Sequence, residues 1–592
     1  MNTVTVKINN MEVQCPSTAT ILEAAKLAGM EIPTLCFLKE INEIGACRIC
    51  VVEVKGARTL VTACVYPVAD GMEIFTNTER VRKSRQMTLE LILSNHRKDC
   101  LTCVRNQNCE LQKLCIDLGV DRVRFADDNL QPEIEASTAH LVRDNSKCVL
   151  CRRCIAVCKD DQEVAVIGAN ERGFETNIGC ALGRDLGEVG CVSCGQCIVY
   201  CPTGALTERD DTAEVYAALA DPTKHVVVGT APAVRVALGE CFGMPIGTNV
   251  EGKMVTSLRR LGFDKVFDVA VGADLTVMEE GAEIIDRITS EKGLPAITSC
   301  SPGWVRYCEM YHPEFLPNLS SCKSPQQMFG AMMKTYYAQK MDIDPKDVYV
   351  VTIMPCTAKK YEIRRPYQQA VPGLYDIDAV LTTRELGRMI TAAGLMFTDL
   401  PDEAFDPAFG ISTGAGYIFG ASGGVMEAAL RTVVEKVTGK ALDQVDFTEV
   451  RGVKGLKEAS YDLNGREVKV AVVSGLKNTG ELLTRIKSGE VNYDVIEVMA
   501  CPGGCVNGGG QPIQTGFVRT FNDLRAIRGA AIYKGEIDDR RIRKAHENPL
   551  IQELYQTFLG EPGSHKAHEY LHTKYQEQSR YPGLEVEQKY GK

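Results

Sequence analysis

Cysteines are the residues of this chain best suited to chemistry, and there are 25 of them among 592 residues. Two runs share one spacing, with gaps of two, two and three residues, and a proline follows the second run. This doubled pattern is typical of paired 4Fe–4S clusters in which the fourth cysteine of each run binds the other cluster. It predicts one cluster on Cys148, Cys151, Cys154 and Cys201, and a second on Cys191, Cys194, Cys197 and Cys158.

A separate group near the start of the chain consists of Cys36, Cys47, Cys50 and Cys64. A glycine opens the tight segment 45–50, so its two thiolates can converge on one iron while the outer two hold another. Four thiolates suit a 2Fe–2S cluster, and we prefer this interpretation to a zinc site. Alternating apolar residues over 3–14 predict a β-hairpin beside it, as in a β-grasp electron-transfer domain.

A mixed group follows, with His96, Cys100, Cys103 and Cys109. On spacing alone, zinc is an equal alternative for one histidine and three cysteines. Because the group lies between two other cluster modules, we predict a 4Fe–4S cluster with one imidazole ligand. The accessory set is then one 2Fe–2S cluster and three 4Fe–4S clusters.

Three more cysteine motifs occupy the second half of the chain, each at the end of an apolar, β-rich run. They contain Cys300, Cys356, and the pair Cys501 and Cys505. Strands and helices alternate here, which predicts an α/β domain with largely parallel sheets. Such domains bind ligands beyond the carboxyl ends of their strands. We therefore expect the three motifs to converge although they are far apart in sequence.

The elements that must position these residues follow from hydrophobic patterning. Buried strands are predicted at 225–229, 265–271, 348–353, 468–473 and 493–498, and helices at 324–340 and 383–393. The length and the order of motifs predict a multidomain chain of α+β and α/β class. The predicted domains are a β-grasp 2Fe–2S domain at 1–80, a His/Cys cluster domain at 81–125, a two-4Fe–4S ferredoxin domain at 138–210 and a large α/β catalytic domain at 211–592.

Composition excludes several classes of protein. The formal net charge is −10, which argues against a nucleic-acid binder. No apolar run approaches the ~18 residues of a membrane span, and no leader pattern opens the sequence. Metal ligation in a reducing compartment explains the cysteines better than disulfides do. We therefore expect a cytoplasmic protein.

The three C-terminal motifs closely resemble those of iron-only (FeFe) hydrogenases, and the resemblance covers essentially the whole chain. It implies an H-cluster, in which a 4Fe–4S cubane is joined through a cysteine to a diiron unit with CO, CN⁻ and a dithiolate. It implies Cys356, Cys501 and Cys505 as cubane ligands, with Cys505 bridging, and Lys359 as a charge-assisted donor to a cyanide. Other positions that match the family's pocket are Pro232, Ser324, Gln326, Met354 and Met499.

One motif departs from the family pattern. Many members have two adjacent cysteines, the first a proton relay and the second a cubane ligand, whereas this chain has Cys300 followed by Ser301. Cys322 stands nearby, where a small residue is expected, so it is a candidate for the missing thiolate, with Cys300 as the relay. Alternatively Cys300 becomes the ligand and the relay is rebuilt. A serine ligand is the least favoured option because soft thiolates suit iron–sulfur clusters better.

Protons also need a path to the pocket. Glu280 and Glu283 are three residues apart on one predicted helix face. With Ser320 they match the family's proton route, which ends near Arg287. The alternative is an ordinary solvated helix face, but the apolar residues around the pair favour a half-buried helix.

The resemblance implies an enzyme that interconverts protons, electrons and H₂. The variant around Cys300 is similar to that of multimeric, electron-bifurcating hydrogenases, so we expect a flavin-containing NAD(P)-binding subunit, a small 2Fe–2S subunit and ferredoxin as partners. The chain has no Gly-x-Gly-x-x-Gly fingerprint of its own. A single-subunit ferredoxin hydrogenase is the first alternative. A non-catalytic electron-transfer or iron–sulfur assembly protein is the second, since residues 1–210 also resemble the electron-transfer subunit of NADH dehydrogenases.

Overall fold

The structure is a computed structural model that describes residues 2–39, 41–125, 134–442, 444–539 and 542–582. The predicted end of the last domain, residue 592, lies outside these ranges. The architecture is mixed α/β, in agreement with the predicted fold class at that level.

The N-terminal region is a small five-stranded sheet with one helix. Its elements are β1 (Thr3–Ile8), β2 (Met11–Pro16), α1 (Ile21–Leu27), β3 (Val51–Val54), β4 (Val61–Thr62) and β5 (Glu73–Phe75). The strand order is β2-β1-β5-β3-β4, with β1 and β5 parallel. The predicted hairpin is present, and Asn9 and Asn10 turn it with φ of 45° and 71°. Asparagine tolerates this left-handed backbone, which two-residue hairpin turns require.

Residues 79–208 contain short elements around the next cysteines. They are α2 (Glu79–Leu93), α3 (Glu110–Asp117), β6 (Ile134–Glu135), β7 (Leu141–Asp144), α4 (Arg153–Ala156), β8 (Gly168–Asn170), β9 (Asn177–Gly179), α5 (Gln196–Tyr200) and β10 (Leu206–Glu208). The cysteine duplication is also visible in the backbone. Arg152 before α4 and Gly195 before α5 both adopt a left-handed conformation, at φ 64° and 68°.

The C-terminal region is built on two four-stranded sheets. Their strands are β11 (His225–Thr230), β12 (Lys265–Asp268), β13 (Ala296–Ile297), β14 (Val348–Met354), β15 (Ala379–Thr382), β16 (Leu456–Leu463), β17 (Arg466–Ser474) and β18 (Val495–Met499). The first sheet, β12-β11-β14-β15, is entirely parallel. The second, β13-β18-β17-β16, is parallel except for β16, which forms an antiparallel edge with β17.

Helices cover both sheets of this region. The first are α6 (Thr212–Ala220), α7 (Pro232–Arg235), α8 (Glu251–Arg260), α9 (Ala270–Ser290), α10 (Pro302–Tyr311), α11 (Pro325–Met332), α12 (Ala338–Met341), α13 (Ala358–Glu362) and α14 (Thr383–Ala392). The rest are α15 (Gly414–Tyr417), α16 (Gly424–Thr438), α17 (Leu476–Lys487), α18 (Gly516–Phe521), α19 (Leu524–Asp539), α20 (Pro549–Leu554) and α21 (His565–Leu571). No helix in the described ranges is long and apolar enough to cross a bilayer.

One predicted strand ends early. The apolar run 265–271 suggests a strand throughout, but β12 stops at Asp268 and α9 begins at Ala270. The Asp268 carboxylate accepts the Ala270 backbone N–H at 3.0 Å, which satisfies one of the unpaired donors at the helix start. The rest of the apolar run is therefore the buried first turn of α9.

Candidate active site

The cysteine motifs of the C-terminal region meet at one cavity with an empty volume of about 850 Å³. Its walls include Cys300, Cys356, Cys501 and Cys505. Met354 and Met499, which are the last residues of β14 and β18, line it as well. The cavity therefore lies at the carboxyl ends of strands from both parallel sheets, as this class of fold leads one to expect.

Most of the other predicted pocket residues lie at the same cavity. Pro232, Gln326 and Lys359 line it, whereas Ser324 stands behind Lys359. The Lys359 ammonium donates to Ser324 Oγ at 2.8 Å, to Glu362 Oε2 at 2.9 Å and to the Cys300 carbonyl at 3.3 Å. These bonds fix a buried cation at the cavity wall, where it can stabilise an anionic ligand group.

Glycines let backbone segments approach the cavity closely. A Cβ on Gly508 would lie 2.2 Å from the Pro355 carbonyl oxygen, so only glycine fits against the segment that carries Cys356. A Cβ on Gly509 would lie 2.4 Å from the carbonyl oxygen of Cys194, which belongs to the ferredoxin-like region. The cavity and that region are therefore in direct backbone contact.

Burial disfavours the thiolate form of the cavity cysteines. Burial raises the pKa of Cys356, and burial together with Cys356 and Cys194 raises the pKa of Cys501. Burial also raises the pKa of Cys505 to about 12, with Cys356 as the next cause. Several buried thiolates are stable together only when cations compensate them, and soft iron is a fitting partner. The donor set therefore fits an iron–sulfur cluster.

The two predicted ferredoxin groups are both assembled. Cys148, Cys151, Cys154 and Cys201 line one small cavity. In the other group, burial raises the pKa of Cys197 well above its usual value, and Cys194, Cys191 and Cys158 raise it further. Cys194 also lines the main cavity, so the second group adjoins it directly.

The four N-terminal cysteines lie close together and contact the ferredoxin-like region. The Cys50 and Cys64 Sγ atoms are 3.3 Å apart, and Cys47 N lies 3.5 Å from Cys36 Sγ. The Asn42 amide donates to the Cys36 carbonyl at 2.8 Å and to the Cys151 carbonyl at 3.0 Å. One side chain thus spans two cysteine groups.

The cavity at the mixed histidine group is also lined by Cys115 of α3, which the sequence alone suggests is a packing residue. One cavity is lined by His96, Cys100, Cys109 and Cys115. Cys103 does not line this cavity. Its Sγ atom would lie 2.8 Å from a Cβ added to Gly204, which belongs to the ferredoxin-like region. Burial lowers the pKa of His96 to about 4, so the imidazole is neutral, and its Nδ1 has no partner among the described residues. A buried, neutral, unpartnered nitrogen fits a metal ligand.

Cys322, one of the predicted candidates for the fourth cubane ligand, does not line the main cavity. Its Sγ lies 3.9 Å from Glu283 Oε2, and its backbone N–H donates to Ser320 Oγ at 3.3 Å. Cys322 forms an isolated antiparallel bridge with His572 of the C-terminal segment. Cys300 and Ser301 are the residues of the departing motif that line the cavity.

The predicted proton residues lie together beside Cys300. Burial raises the pKa of Glu280 to about 8, with the Glu283 charge as the next cause. Burial also raises the pKa of Cys300 well above its usual value, and the Glu280 charge raises it further. Ser320 Oγ donates to Glu283 Oε2 at 2.9 Å, and Arg287 pairs with Glu283 Oε1 at 2.5 Å. The side chains of Glu283 and Arg287 are 18% and 14% exposed, so this end reaches solvent. The helix face is not the ordinary solvated one.

Comparison with known proteins identifies the class of this chain. Residues 224–509 match the iron-only hydrogenase large subunit, C-terminal domain, and 522–578 match the iron hydrogenase small subunit. Residues 1–79 match a 2Fe–2S iron–sulfur cluster binding domain, and 85–124 match the NADH-ubiquinone oxidoreductase-G iron–sulfur binding region. The chain is therefore an iron–sulfur oxidoreductase with a hydrogenase domain.

Individual relatives narrow the class. The chain is 46% identical to NADP-reducing hydrogenase subunit HndD of Solidesulfovibrio fructosivorans, over 98% of this chain and 100% of that protein. It is 43% identical to iron hydrogenase 1 of Clostridium pasteurianum, over 96% and 99%. A solved structure of [FeFe]-hydrogenase HydA1 from Chlamydomonas reinhardtii matches with a TM-score of 0.56 and 42% identity, over 63% of this chain and 100% of that one.

This protein belongs to the FeFe hydrogenases. It is the catalytic hydrogenase chain, with 2Fe–2S and 4Fe–4S binding domains and an H-cluster domain, and it interconverts H₂ with protons and electrons. The predicted family, activity and cofactor classes are confirmed.

Proposed function

We propose that the chain carries out reversible hydrogen conversion at the main cavity, within a larger NAD(P)-linked and ferredoxin-linked complex. The observation that carries the proposal is the contact between Cys194 and the cavity, because it brings a cluster site to the reacting site. The bound diiron unit supplies the metal chemistry that combines protons and electrons. The chain's own residues hold that unit, exclude water and deliver protons.

Cys356, Cys501 and Cys505 would hold the cubane, and Cys505 would also attach the diiron unit. Lys359 donates to an anionic ligand of that unit, and Glu362 and Ser324 keep its ammonium in place. Met354 and Met499 pack on the unit as polarizable walls. Pro232 and Gln326 complete the cavity.

The fourth cubane position belongs to the Cys300–Ser301 pair. Cys300 lines the cavity with Cys505, and burial raises its pKa, with the charges of Glu280 and Cys505 as the next causes. We therefore assign Cys300 as the relay. Ser301 takes the ligand position, where its Oγ accepts the Ala500 backbone N–H at 3.2 Å beside Cys501.

Two substitutions test this assignment in the matured enzyme. Cys300→Ser is expected to keep iron content and the CO and CN⁻ infrared bands while turnover falls about 10²–10⁴-fold, as for loss of a general acid–base step. Ser301→Cys is expected to keep both bands and turnover, because a thiolate suits iron better than an alkoxide. Loss of iron in Cys300→Ser would make Cys300 the ligand.

Protons travel from the Arg287 end through Glu283, Ser320 and Glu280 to Cys300. Glu280 is held protonated at neutral pH by burial, so it can donate without first collecting a proton. Its Oε1 has no partner among the described side chains and is free to exchange a proton with Cys300. Each proton transfer along this route then takes place between adjacent polar side chains.

Electrons arrive through four accessory clusters on two branches. The β-grasp domain carries the 2Fe–2S cluster on Cys36, Cys47, Cys50 and Cys64. The His/Cys domain carries a 4Fe–4S cluster on His96, Cys100, Cys103 and Cys109. Both domains contact the first ferredoxin cluster, through Asn42 and through Gly204. Cys194 of the second ferredoxin group lines the main cavity, so a cluster held there would supply electrons to the cubane.

Partners complete the enzyme. The relative from Solidesulfovibrio is named a subunit of an NADP-reducing hydrogenase and aligns with 98% of this chain. Electrons from NAD(P)H come in pairs, and a flavin is needed to separate them for one-electron clusters. We propose a flavin-containing NAD(P)-binding subunit, a small 2Fe–2S subunit and ferredoxin as partners, in the reducing cytoplasm.

Purification tests the complex. The chain alone is expected to exchange electrons with viologen or ferredoxin but not with NAD(P)H, and to copurify from its native source with a flavoprotein. A monomer that couples fully to ferredoxin would instead support the single-subunit alternative. A non-catalytic assembly role, suggested by 31% identity to the cytosolic Fe-S cluster assembly factor narfl of Xenopus tropicalis, is the less favoured alternative. The bonded Lys359 and the two methionines at the cavity favour catalysis.

A further inference from the structure

Three potential metal ligands meet outside the main cavity, where they serve no assigned cluster. They are the Cys322 thiol, the Glu283 carboxylate and the His572 imidazole, whose donor atoms all lie within 4.8 Å of one another. The three residues come from different parts of the fold: Glu283 from α9, Cys322 from the segment before α11, and His572 from the segment after α21.

The backbone holds two of these ligands opposite each other. Cys322 and His572 form an isolated antiparallel bridge. Thr573 N donates to the Ser321 carbonyl and Lys323 N donates to the Leu571 carbonyl, both at 2.8 Å. Because the pairing is made by main-chain bonds, the two donors are positioned before any ligand arrives, and binding costs little ordering.

The group is also sheltered and acidic. Cys322 is 1% exposed, and the side chains of His572 and Glu283 are 7% and 18% exposed. Glu279 and Glu280 adjoin it, and among the described residues neither has an arginine or lysine at ion-pair distance. Arg287 pairs with Glu283. An additional cation would offset this concentration of buried carboxylates.

The chemistry of the donors selects the ion. One thiolate, one imidazole and one carboxylate, with room for water as a fourth ligand, form a donor set that zinc accepts. The Cys322 Sγ and Glu283 Oε2 atoms are 3.9 Å apart. Ligands about 2.0–2.3 Å from a tetrahedral zinc ion are separated by roughly 3.3–3.7 Å, so only a small movement is needed.

Existing hydrogen bonds provide the outer support that metal-binding histidines usually have. His572 Nδ1 bonds to Ser321 Oγ at 2.8 Å, and Nε2 bonds to Glu279 Oε2 at 3.0 Å. Metal binding replaces one of these bonds and keeps the other, which fixes the ring orientation. Tyr555 and the Gly563 backbone N–H in turn hold Glu279.

We propose that Cys322, His572 and Glu283 form a binding site for a divalent zinc-like cation at the outer end of the proton route. Its consequence for turnover rests on the proposed route through Glu283. A carboxylate that ligates a metal cannot pass protons, so a bound ion stops hydrogen conversion without touching the H-cluster.

Zinc K-edge X-ray absorption tests the site in the holoenzyme. The enzyme is given one equivalent of Zn²⁺, desalted, and examined together with Cys322→Ala, His572→Asn and the control His546→Asn. The control histidine belongs to a separate group with Glu435 and Glu547 that has no thiol. We expect retained zinc with one sulfur and the rest nitrogen or oxygen, loss of the sulfur in Cys322→Ala, and affinity at least about 10–100-fold weaker in His572→Asn.

Zinc that is not retained, zinc with four sulfurs, or an unchanged spectrum in both Cys322→Ala and His572→Asn would overturn the site. Turnover is then measured on the same samples. We expect zinc to lower it reversibly, with unchanged infrared bands, and His572→Asn to be resistant. Zinc bound with one sulfur but without effect on turnover would keep the site and refute the proton route through Glu283.

Discussion

The accessory-cluster region and the main cavity both gather buried thiols, but they do so in opposite ways. In residues 138–210 the cysteines come in short runs, and each run places three thiols within one loop and helix turn. At the cavity, Cys300, Cys356 and Cys501 come from separate strand ends in two different sheets. Local spacing of cysteines is therefore enough to build an electron-carrying cluster site, whereas the catalytic site needs a shaped cavity that only a whole domain can provide.

The two regions also differ in the rest of their lining. The cavity adds a buried ammonium, two methionines and a neighbouring carboxyl group to its thiols. The ferredoxin-like groups are lined mainly by apolar side chains and their own cysteines. A carrier must only hold its cluster, while a catalytic site must also bind small ligands and move protons. Substitutions should therefore separate the two functions.

The largest expected effect is loss of the bridging thiol. Cys505→Ala should reduce hydrogen turnover to background and remove the CO and CN⁻ infrared bands, because the diiron unit loses its attachment. The accessory clusters should keep their electron paramagnetic resonance signals. Cys308→Ala is the matched control, since Cys308 is buried in a different core. Bands that persist in Cys505→Ala would contradict the assignment.

The next largest effect concerns protons. Glu283→Gln should lower turnover about 10²–10⁴-fold with unchanged infrared bands, because an amide hydrogen-bonds but does not pass on a proton. Asp286→Asn, an exposed change on the same helix, should have little effect.

The same variant has a pH signature. The Glu283 charge raises the pKa of Glu280, so removing the charge must lower that pKa from about 8. The protonated carboxyl band of Glu280 in infrared difference spectra should then disappear at a lower pH than in the unmodified enzyme. Glu280→Gln identifies the band. A band unmoved by Glu283→Gln would show that the two carboxyls do not interact.

A smaller effect is expected at the periphery of the electron path. Cys47→Ala should remove the 2Fe–2S signal and slow reduction by an external donor. Proton/deuterium exchange on H₂ should survive, because it needs no long-range electrons. If a folded variant with its remaining clusters intact loses exchange, the two regions are not separable in this way.

The smallest effect should come from the backbone contact between the main cavity and the ferredoxin-like region, at Gly509 and Cys194. Gly509→Ala places a Cβ 2.4 Å from the Cys194 carbonyl oxygen, so the two regions must move apart. Intramolecular electron transfer to the H-cluster should slow a few-fold while every cluster is retained. Gly529→Ala, where nothing lies within 4 Å of the new Cβ, is the control. Equal transfer rates in the two variants would place the electron path elsewhere.

Prediction from sequence was strongest where a few neighbouring residues decide the structure. The hairpin at Asn9 and Asn10, the parallel sheets and the cysteine runs all depend on local pattern. It was weaker for the cluster near His96, because Cys115 joins that lining only through the packing of α3. It could not place Cys322, which is a few residues from the pocket residues Pro325 and Gln326 and yet contacts Glu283.

The family, the classes of cluster and the presence of an α/β domain with its ligands at strand ends could all be predicted from the amino-acid sequence. Spacing within a loop or a helix turn determines which side chains can share a metal, and such spacing can be recognised in the amino-acid sequence alone. Two contacts become visible only in the tertiary structure. Cys300 rather than Cys322 lines the cavity, and Cys322 forms a bridge with His572. Those contacts depend on how the C-terminal segment folds back over α9 and α11, and no local pattern records the pairing of residues so far apart.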